Sequence, residues 1–464
     1  MIEIQSRRDQ TIALFGLGAS GLATARALVA SGAKVFAWDD CQGQRTAAQN
    51  DSIQVSDLYA RDFNDLAALV LAPGISLTHK PHAIVQKAQA ADCPIIGDIE
   101  LLIEACPTTK FIGITGTNGK STTTALIGHM LNTAGIKSQI GGNLGPPALG
   151  FETPAKDEII VLELSSYQLD LTQKATFDIA VFLNISPDHL DRHGNMDGYI
   201  NAKRQIFRNR VNTAEPQIAI IGVDDKNGRS LYKELSQRAG WKAIAITMSG
   251  TLDDGFYASN GMLYEANAGN TKAICDLSHA NSLPGSHNWQ NAAAAAAVGY
   301  VLKIGSENIA SAITSYPGLP HRMENLGSTH GVTFINDSKA TNGEAAARAL
   351  ACYDDIFWIA GGRAKDDGLA VIKPFLPNIR HAFLIGEAGP KFETELDDAV
   401  PVTQCGDLET ATKEAYRAAS ESGPVKKATV LLSPACASFD QWKNFELRGE
   451  AFKSFVSDLS EGEA

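Results

Sequence analysis

The stretch of sequence that decides the fold is residues 111–124, which read FIGITGTNGKSTTT. An apolar run stops there at a glycine-rich turn, and an amphipathic segment follows from Ala125 to Leu131. The pattern predicts a strand, a phosphate-binding loop (P-loop) and a helix, because glycines let main-chain N–H groups converge on phosphate oxygens beside a helix N-terminus. The Lys120 ammonium would reach the terminal phosphates, and the Ser121 hydroxyl would face a metal ion.

The loop departs from the full P-loop motif, which requires a glycine five places before Gly119. That place holds Ile114, and Gly113 lies one place too early, so the chain has a shorter variant of the loop. The alternative is a glycine-rich turn whose lysine points to solvent, but the strand, the glycines, the Lys-Ser pair and the helix follow in the right order. We therefore expect these loop residues to bind phosphates: Gly116, Thr117, Asn118, Gly119, Lys120, Ser121 and Thr122.

The size and composition of the chain limit the possible functions. A length of 464 residues is enough for about three domains. With 44% hydrophobic and 20% charged residues, the composition is that of an ordinary globular protein. The 40 basic and 52 acidic residues leave a net charge of −12, which gives a nucleic-acid partner no electrostatic support. We expect local cationic pockets for anionic small molecules and no nucleic acid.

Cysteine usage and hydropathy bear on the compartment. The seven cysteines form no Cys-x-x-Cys pair, and their odd number argues against a disulfide framework or a zinc site. Free thiols are typical of a reducing cytoplasm. The first ten residues are polar and show no signal peptide, and no uninterrupted apolar run has membrane-spanning length. The sequence therefore predicts a cytoplasmic protein without membrane insertion.

The beginning of the chain carries a second glycine-rich turn. Residues 11–15 form a predicted strand, residues 16–21 read GLGASG, and a helix and another strand follow before Asp39. A GxGxxG turn with an acidic residue about 20 positions further on is typical of NAD-binding folds. The same glycines suit any diphosphate on a helix N-terminus, so a nucleotide-sugar diphosphate fits as well as NAD.

Two breaks in the pattern divide the chain into three predicted domains. One lies near residues 106–109, and the other lies near residues 315–320, where two prolines and a glycine interrupt the pattern. Alternating strands and helices predict an α/β fold with mostly parallel sheets, apart from an irregular or β-rich insertion at 250–283. The predicted domains are residues 1–107, 108–318 and 319–464.

Short apolar runs predict the strands that follow the first two. They are residues 66–71, 158–163, 177–185, 217–222, 332–335, 356–360, 382–385 and 429–432.

Three places in the middle of the chain carry ligand-type side chains. Glu163 ends a predicted buried strand, where nucleotide-binding folds hold Mg²⁺, and a cap on the following turn is the alternative. Residues 188–193, DHLDRH, place His189 and His193 four apart, which fits a transition-metal site and a solvated helix start about equally. The pattern around Lys203 alone predicts a surface lysine on a helix.

Four polar stretches mark the last domain. They span residues 320–324, 336–342, 361–366 and 433–440. Loops at the carboxyl ends of parallel strands line one edge of an open sheet, where such sheets bind ligands. Amide side chains at residues 287–291, ahead of an alanine-rich helix, either cap that helix or contact a nucleotide.

These motifs, taken together and in order, resemble those of the Mur ligase family over nearly the whole chain. The likeness rests on the P-loop, Glu163 and Asp188-His189, and on three later stretches: PHR at 320–322, NDSKATN at 336–342 and LSPACAS at 432–438. The last stretch continues as FDQWKNFELRG to residue 449 and resembles the D-glutamate-adding branch of the family. The DNPR run of the diaminopimelate- and lysine-adding branches does not occur in the sequence.

The resemblance implies an architecture and an activity. The implied domains are a Rossmann-like UDP-binding domain, an ATPase domain and a Rossmann-like amino-acid domain. The implied reaction is the ATP-dependent joining of UDP-N-acetylmuramoyl-L-alanine and D-glutamate through an acyl phosphate, in peptidoglycan precursor synthesis. ATP and two Mg²⁺ ions are the implied cofactors, and a monomer is expected.

The resemblance also implies catalytic and metal-binding residues. Lys120, His189 and Lys203 are implied in catalysis. Carbamylation of Lys203 would turn a cation into a carboxylate able to bind Mg²⁺. The implied magnesium ligands are Ser121, Glu163, His189 and the carbamylated Lys203.

The implied substrate contacts come from all three domains. Beyond the P-loop, the ATP contacts are Asn288, Asn291, Arg322 and Asp337. The contacts of the UDP substrate are Gly18, Asp39 and Asn143, and Asp40-Cys41 and Ala72 differ from the residues usual in relatives. The contacts of D-glutamate are Lys339, Thr341, Lys365, Ser438 and Phe445.

Other functions compete with the ligase. An NAD-dependent oxidoreductase accounts for the GxGxxG turn but leaves the P-loop unexplained. A non-catalytic nucleotide-binding module predicts ATP binding without an acyl phosphate. A folylpolyglutamate-type ligase is the nearest relative to exclude.

Overall fold

A computed structural model describes residues 2–211, 215–364, 368–396, 399–422 and 428–461. The chain forms two compact units. The first comprises Met1–Leu277 and Ser286–Ser315, and the second comprises Ser278–Gly285 and Tyr316–Ala464. The break after Ser315 lies inside the predicted boundary segment, and the first unit contains the first predicted domain and most of the second, without residues 278–285 and 316–318. The three-domain bounds stay a prediction.

The first sheet of the first unit has four parallel strands in the order β2-β1-β3-β4. The strands are β1 Thr11–Phe15, β2 Lys34–Trp38, β3 Ala68–Leu71 and β4 Ile95–Ile96. The helices are α1 Ala19–Ala30, α2 Gln42–Asn50, α3 Ala83–Ala90 and α4 Asp98–Ala105. Side chains on both faces of β1 and β3 are buried, as expected for a parallel sheet covered on both sides.

The second sheet of the same unit has nine strands in the order β13-β12-β11-β10-β9-β8-β5-β7-β6. The strands are β5 Lys110–Thr115, β6 Ser138–Gly142, β7 Ile159–Glu163, β8 Ile179–Phe182, β9 Gln217–Gly222, β10 Trp241–Thr247, β11 Gly255–Ser259, β12 Met262–Asn267 and β13 Asn270–Asp276. The helices are α5 Lys120–Thr133, α6 Ser166–Asp170, α7 Leu190–His193, α8 Met196–Arg204, α9 Lys226–Gln237, α10 His287–Val301 and α11 Ser306–Thr314.

Residues 250–283, predicted to be irregular or β-rich, are β-rich in the structure. The segment forms antiparallel β11, β12 and β13, which extend the otherwise parallel second sheet at one edge. In α10 the alanines at 292–297 are fully buried. Small side chains let that helix pack closely against α5.

The second unit contains a sheet of six strands in the order β14-β15-β19-β16-β17-β18, parallel except for β14. The strands are β14 Glu324–Thr329, β15 Val332–Asn336, β16 Ile356–Gly361, β17 Ile379–Ile385, β18 Val402–Gly406 and β19 Thr429–Leu432. The helices are α12 Gly343–Leu350, α13 Gly389–Leu396, α14 Leu408–Glu421 and α15 Phe445–Glu461. The three sheets confirm the predicted α/β class with mostly parallel strands. Across the described part of the chain, every helix is too short or too polar to span a bilayer.

The turn between β1 and α1 requires glycine at Gly21. A Cβ atom added there would lie 1.8 Å from the Gly16 carbonyl oxygen, which is far inside van der Waals contact. We expect Gly21→Ala to push α1 away from β1 and to lower the free energy of unfolding by about 3 kcal/mol. Urea unfolding of the full chain measures this loss.

Gly43→Ala provides the matched control, because the new Cβ atom would lie 3.8 Å from the Cys41 sulfur and meet no closer atom. Its stability should stay within about 0.5 kcal/mol of wild type. Equal stability of the Gly21 variant and this control would contradict the proposed close approach.

Candidate active site

The P-loop connects the carboxyl end of β5 to α5. Gly116 and Gly119 have φ angles of +156° and +83°, and the latter lies in the left-handed region that favours glycine. A Cβ atom at Gly119 would lie 2.3 Å from the Asn291 side-chain oxygen. The Lys120 Nζ donates hydrogen bonds to the carbonyl oxygens of Gly116 (3.0 Å) and Thr117 (2.9 Å). The loop is a narrow main-chain cradle at a helix N-terminus, which is the arrangement that suits phosphate.

Two buried amides of α10 face this cradle. The Asn291 Oδ1 accepts a hydrogen bond from the Thr123 hydroxyl (3.1 Å), and the Asn291 Nδ2 donates one to the Asn288 Oδ1 (2.9 Å). The N-cap of α10 is Ser286, so neither amide serves as the cap of this helix. Their contact with a nucleotide stays a prediction.

Glu163 ends β7 beside the P-loop and is 2% exposed. Its Oε1 accepts a hydrogen bond from the Asn143 side chain (2.7 Å), and its Oε2 is buried without a hydrogen-bond partner in the described part of the chain. The cap of the following helix is Ser165, which forms a capping box with Gln168. Glu163 is therefore not that cap. A buried carboxylate oxygen without a donor fits a cation, because burial of an unpaired charge is otherwise costly.

Lys203 lies in α8, and only 1% of its surface is exposed. The surface position predicted from the pattern alone is wrong, because the helix turns this residue toward the P-loop. Its Nζ donates a hydrogen bond to the Gly116 carbonyl (2.7 Å). Burial, with a contribution from the Lys120 ammonium, lowers the pKa of the Lys203 amine well below its usual value. A neutral amine is the form that reacts with CO₂, so this environment fits carbamylation.

The two histidines of residues 188–193 have separate surroundings. His189 precedes α7 with φ +52° and contacts the Tyr167 hydroxyl through Nδ1 (3.0 Å). His193 is buried, pairs with the Ser166 hydroxyl through Nε2 (2.9 Å), and has its pKa lowered to about 4, chiefly by burial. Within the described ranges, no group of three or more His, Cys, Asp or Glu side chains is arranged to hold a metal. Magnesium binding by His189 stays a prediction.

The glycine turn of the first sheet is braced by Asp39. The Asp39 carboxylate accepts hydrogen bonds from the main-chain N–H groups of Leu17 (2.7 Å) and Cys41 (2.8 Å). Gly18 is the N-cap of α1, so the turn opens onto a helix N-terminus. This geometry suits a diphosphate and does not distinguish NAD from a nucleotide sugar.

The second unit brings the predicted polar loops together at one edge of its sheet. The loops after β15, β19 and β16 are neighbours, because these strands are adjacent and parallel. The Asp337 carboxylate accepts hydrogen bonds from the Ser433 hydroxyl (2.9 Å) and the Met323 N–H (3.2 Å). The Lys339 N–H donates to the His321 carbonyl (3.0 Å), which ties in the stretch that opens this region.

The residues predicted to contact D-glutamate lie partly in this loop cluster. The Lys339 Nζ lies 5.1 Å from the centre of the Phe445 ring, and the Lys339 carbonyl accepts the Thr341 N–H (2.8 Å). Ser438 is buried, and its carbonyl accepts the Trp442 N–H (2.7 Å). Lys365 lies outside the described residues.

Comparisons with known proteins identify the family. Residues 114–299 match the Mur ligase middle domain. The chain is 48% identical to the UDP-N-acetylmuramoylalanine--D-glutamate ligase of Caulobacter sp. (strain K31), over 99% of this chain and 98% of that protein. It is 46% identical to the protein of the same name from Rhodospirillum rubrum, over 99% of this chain and 97% of that one. The chain belongs to the Mur ligase family.

Solved structures share the fold of this Mur ligase at low sequence identity. The UDP-N-acetylmuramate-alanine ligase MurC from Thermotoga maritima has a TM-score of 0.58 at 15% identity, over 97% of this chain and 100% of that chain. MurF from Acinetobacter baumannii has a TM-score of 0.55 at 18% identity, over 88% of this chain and 93% of that one. These structures support the fold class, and their three-domain arrangement is consistent with the three sheets.

A chain of polar side chains behind the P-loop of this Mur ligase was not predicted from the sequence. Asn184 follows β8, and its Oδ1 accepts the Asn118 N–H (2.9 Å). Its Nδ2 donates to the Gln290 Oε1 (2.8 Å), and Gln290 in turn donates to Asp224 (2.7 Å). Asn184 lies inside the run predicted as a strand at 177–185, and an asparagine near the end of that apolar run was a usable signal. Gln290 lies in the amide-rich stretch 287–291 noted in the sequence, but its link to Asn184 and Asp224 gave no signal, because these residues belong to distant segments.

Arg448 of α15 has a structural role that was not predicted from the sequence. The side chain is 1% exposed, and it donates to the Ser338 hydroxyl (3.0 Å) and to the carbonyls of Ser338 (2.8 Å) and Cys436 (3.1 Å). It therefore joins the loops after β15 and β19. Nothing in its sequence neighbourhood indicates such burial.

The buried Asp337 carboxyl of this Mur ligase should make stability depend on pH. Burial raises its pKa from 3.8 to about 7. Below pH 3.8 both folded and unfolded chains hold the proton; as the pH rises toward 7 only the unfolded chain ionises, so stability falls across this window by up to about 4 kcal/mol. Asp337→Asn should remove this part of the slope, which urea unfolding at pH 4, 6 and 8 measures.

Glu344→Gln, which removes an exposed acid of the same unit, should keep the wild-type slope. A wild-type slope in Asp337→Asn as well would show that the carboxyl is ionised in the folded protein at low pH.

Proposed function

We propose that this chain is the ligase that joins D-glutamate to UDP-N-acetylmuramoyl-L-alanine, with conversion of ATP to ADP and phosphate, in peptidoglycan precursor synthesis. The observation that carries the proposal is its likeness to relatives of that name, at 43–48% identity over nearly the whole length. The main-chain cradle beside two buried ionisable groups supports nucleotide-dependent chemistry at this place. Because the reaction consumes ATP, we expect it in the cytoplasm.

The P-loop is the proposed site of the triphosphate. Lys120 and the main-chain N–H groups of residues 116–122 neutralise and orient the phosphate oxygens. Asn288 and Asn291 contact the nucleotide next to the loop. From their places in the matching motifs, Arg322 and Asp337 are further ATP contacts.

The proposed reaction has two steps. The substrate carboxylate attacks the γ-phosphorus of ATP, the bond to the ADP oxygen breaks, and an acyl phosphate forms. The amine of D-glutamate then attacks the acyl carbon, phosphate leaves, and the amine loses a proton. Positioning and charge neutralisation supply most of the rate enhancement in phosphoryl transfer.

Magnesium would be held by residues around the P-loop. Ser121, the orphaned oxygen of Glu163, His189 and Lys203 are the proposed ligands, for two ions. Bound magnesium offsets the negative charge of the phosphates. To become a ligand, the neutral Lys203 amine adds to CO₂ and releases a proton, which leaves a carbamate.

The remaining substrate contacts are proposals of the same kind. Gly18, Asp39 and Asn143 contact the UDP substrate. Lys339, Thr341, Ser438, Phe445 and Lys365 receive D-glutamate, whose two carboxylates suit lysine side chains.

The direct test is phosphate release from ATP in the presence of UDP-N-acetylmuramoyl-L-alanine and a panel of amino acids. We expect release to depend on D-glutamate and to fail with L-glutamate, because the acceptor site must distinguish the two. Phosphate release with glutamylated folate substrates, measured in the same assay, would indicate a folylpolyglutamate-type ligase. Lys120→Ala, checked for its fold by circular dichroism, is the inactive control.

Release that does not require D-glutamate would overturn the assignment. ATP binding without any phosphate release would favour the non-catalytic nucleotide-binding module, and hydride transfer with a nicotinamide would favour the oxidoreductase.

The activity lost on removal of the Lys203 amine should be partly restored by an added carboxylic acid. We expect Lys203→Ala to lose about 10- to 100-fold in activity, as for removal of a group that supports a metal. A short-chain carboxylic acid should restore part of it by placing a carboxylate in the vacated space. The measurement is phosphate release at increasing concentrations of acetate or propionate.

Lys233→Ala, which removes an exposed lysine of α9, should keep full activity and show no response to the acids. An inactive Lys203→Ala enzyme that folds normally but gains nothing from either acid would count against the carbamate.

A further inference from the structure

Arg192, in helix α7 beside the second sheet, binds the loop that follows β3 in the first sheet. The Arg192 side chain in α7 is buried. Its Nη1 donates a hydrogen bond to the Gly74 carbonyl (3.2 Å), and its Nη2 donates to the carbonyls of Pro73 (3.1 Å) and Ile75. One guanidinium therefore holds three successive main-chain carbonyls of the loop after β3.

Neighbouring contacts extend this junction. The Thr78 hydroxyl donates a hydrogen bond to the Asp170 carboxylate at the end of α6 (3.1 Å). A Cβ atom at Gly194 would lie 2.9 Å from the His79 ring, so that ring rests on the main chain just after α7. Residues 73–79 are thus docked as a segment on α6 and α7.

The docked loop borders the glycine turn at residues 16–21, where we propose that the UDP substrate binds; we call this the nucleotide-sugar site. Ala72, at the start of the loop, donates its N–H to the Phe15 carbonyl (2.9 Å). A Cβ atom at Gly16 would lie 2.4 Å from the Ala72 Cβ, so turn and loop are in close contact. A diphosphate placed on the N-terminus of α1 would lie beside both.

The other side of the junction determines the position of His189. The His189 carbonyl accepts the Arg192 N–H (3.1 Å), and the Tyr167 ring contacts both residues, with its centre 4.8 Å from the Arg192 guanidinium and 5.0 Å from the centre of the His189 ring. His189 has φ +52°, a conformation that a non-glycine residue keeps only when its surroundings hold it. Arg192 and Tyr167 belong to those surroundings, together with Asp188, whose carboxylate accepts the His189 N–H (2.9 Å).

We propose that Arg192 is a positioning residue that couples occupation of the nucleotide-sugar site to the placement of His189 beside the P-loop. A ligand seated against the loop at 73–75 fixes the guanidinium through its three carbonyl partners, and the guanidinium fixes the start of α7. The coupling is reciprocal, so magnesium–nucleotide at the P-loop strengthens binding of the UDP substrate by the same factor. This inference rests on the proposed function, because that function assigns the two ligands.

Binding of UDP-N-acetylmuramoyl-L-alanine, measured by calorimetry without turnover, tests the coupling. The affinity is compared with and without Mg²⁺ and a non-hydrolysable ATP analogue. We expect the wild-type chain to bind about tenfold tighter with them, a typical coupling factor. In Arg192→Met the two affinities should agree within about twofold, and Arg192→Lys should be intermediate, because an ammonium lacks the planar fork that spans successive carbonyls.

A matched control is Arg208→Met. Arg208 is half-buried, and like Arg192 it donates through its Nη2 to a main-chain carbonyl, that of Thr172 (2.6 Å). Its loss should lower the melting temperature but keep the tenfold difference in affinity. Tyr167→Phe removes only the hydroxyl that pairs with His189 and should reduce the difference, which keeps the proposal testable if Arg192→Met does not fold.

Steady-state kinetics add a second readout. Arg192→Met should raise the KM for the UDP substrate about tenfold. The KM for D-glutamate should stay unchanged, because the residues proposed to receive D-glutamate belong to the second unit. A wild-type chain without any difference in affinity, or Arg192 and Tyr167 variants that keep it, would overturn the proposal and leave Arg192 as a structural clamp. A wild-type chain that releases no phosphate with D-glutamate would instead refute the proposed function.

Discussion

The main chain of the P-loop is held open by hydrogen bonds from elements that follow it in the sequence. Asn184, just after β8, accepts the Thr117 N–H through its carbonyl and the Asn118 N–H through its side-chain oxygen (2.9 Å each). Lys203 of α8 donates a hydrogen bond to the Gly116 carbonyl (2.7 Å). These bonds fix the conformation of the loop, since a glycine-rich loop has little conformational preference of its own. Helix α10 holds one of these partners in place, because the Asn184 Nδ2 donates a hydrogen bond to the Gln290 Oε1 (2.8 Å).

Two buried ionisable side chains near the loop are costly for the fold by themselves. Glu163 and Lys203 are almost fully buried, and neither forms an ion pair within the described residues. Burial of such groups without full compensation destabilises the folded state, and it lowers the pKa of the Lys203 amine. Groups of this kind concentrate at functional sites, where a ligand or a covalent change supplies the missing partner. An orphaned carboxylate oxygen and a lysine with a lowered pKa beside one phosphate cradle are the physical basis of the proposed magnesium site.

Most buried strands were predicted closely, but three edge strands and the interior strand β10 were not predicted; the edge strand β2 was. β7, β9 and β19 match apolar runs almost to the residue, because their side chains are buried on both faces. β6, β14 and β18 were not predicted, and each lies at the edge of its sheet with a largely half-exposed, partly polar surface. An edge strand depends on one neighbour's hydrogen bonds more than on its own hydropathy, so its pattern resembles that of a loop. The same reason explains why the insertion at 250–283 could be described only as irregular or β-rich.

The sequence by itself determined the α/β class, the two glycine-rich turns and the family, because each depends on residues adjacent along the chain: a run of apolar side chains, a glycine, a capping group. Only the tertiary structure decided that Lys203 is buried, that His193 is a hydrogen-bonded core histidine, and that Arg192 clamps a loop of another sheet. Those outcomes depend on contacts between residues separated by tens to more than a hundred positions. Local pattern carries no information on such pairs, since burial and pKa are set by whichever distant segment folding brings against a side chain.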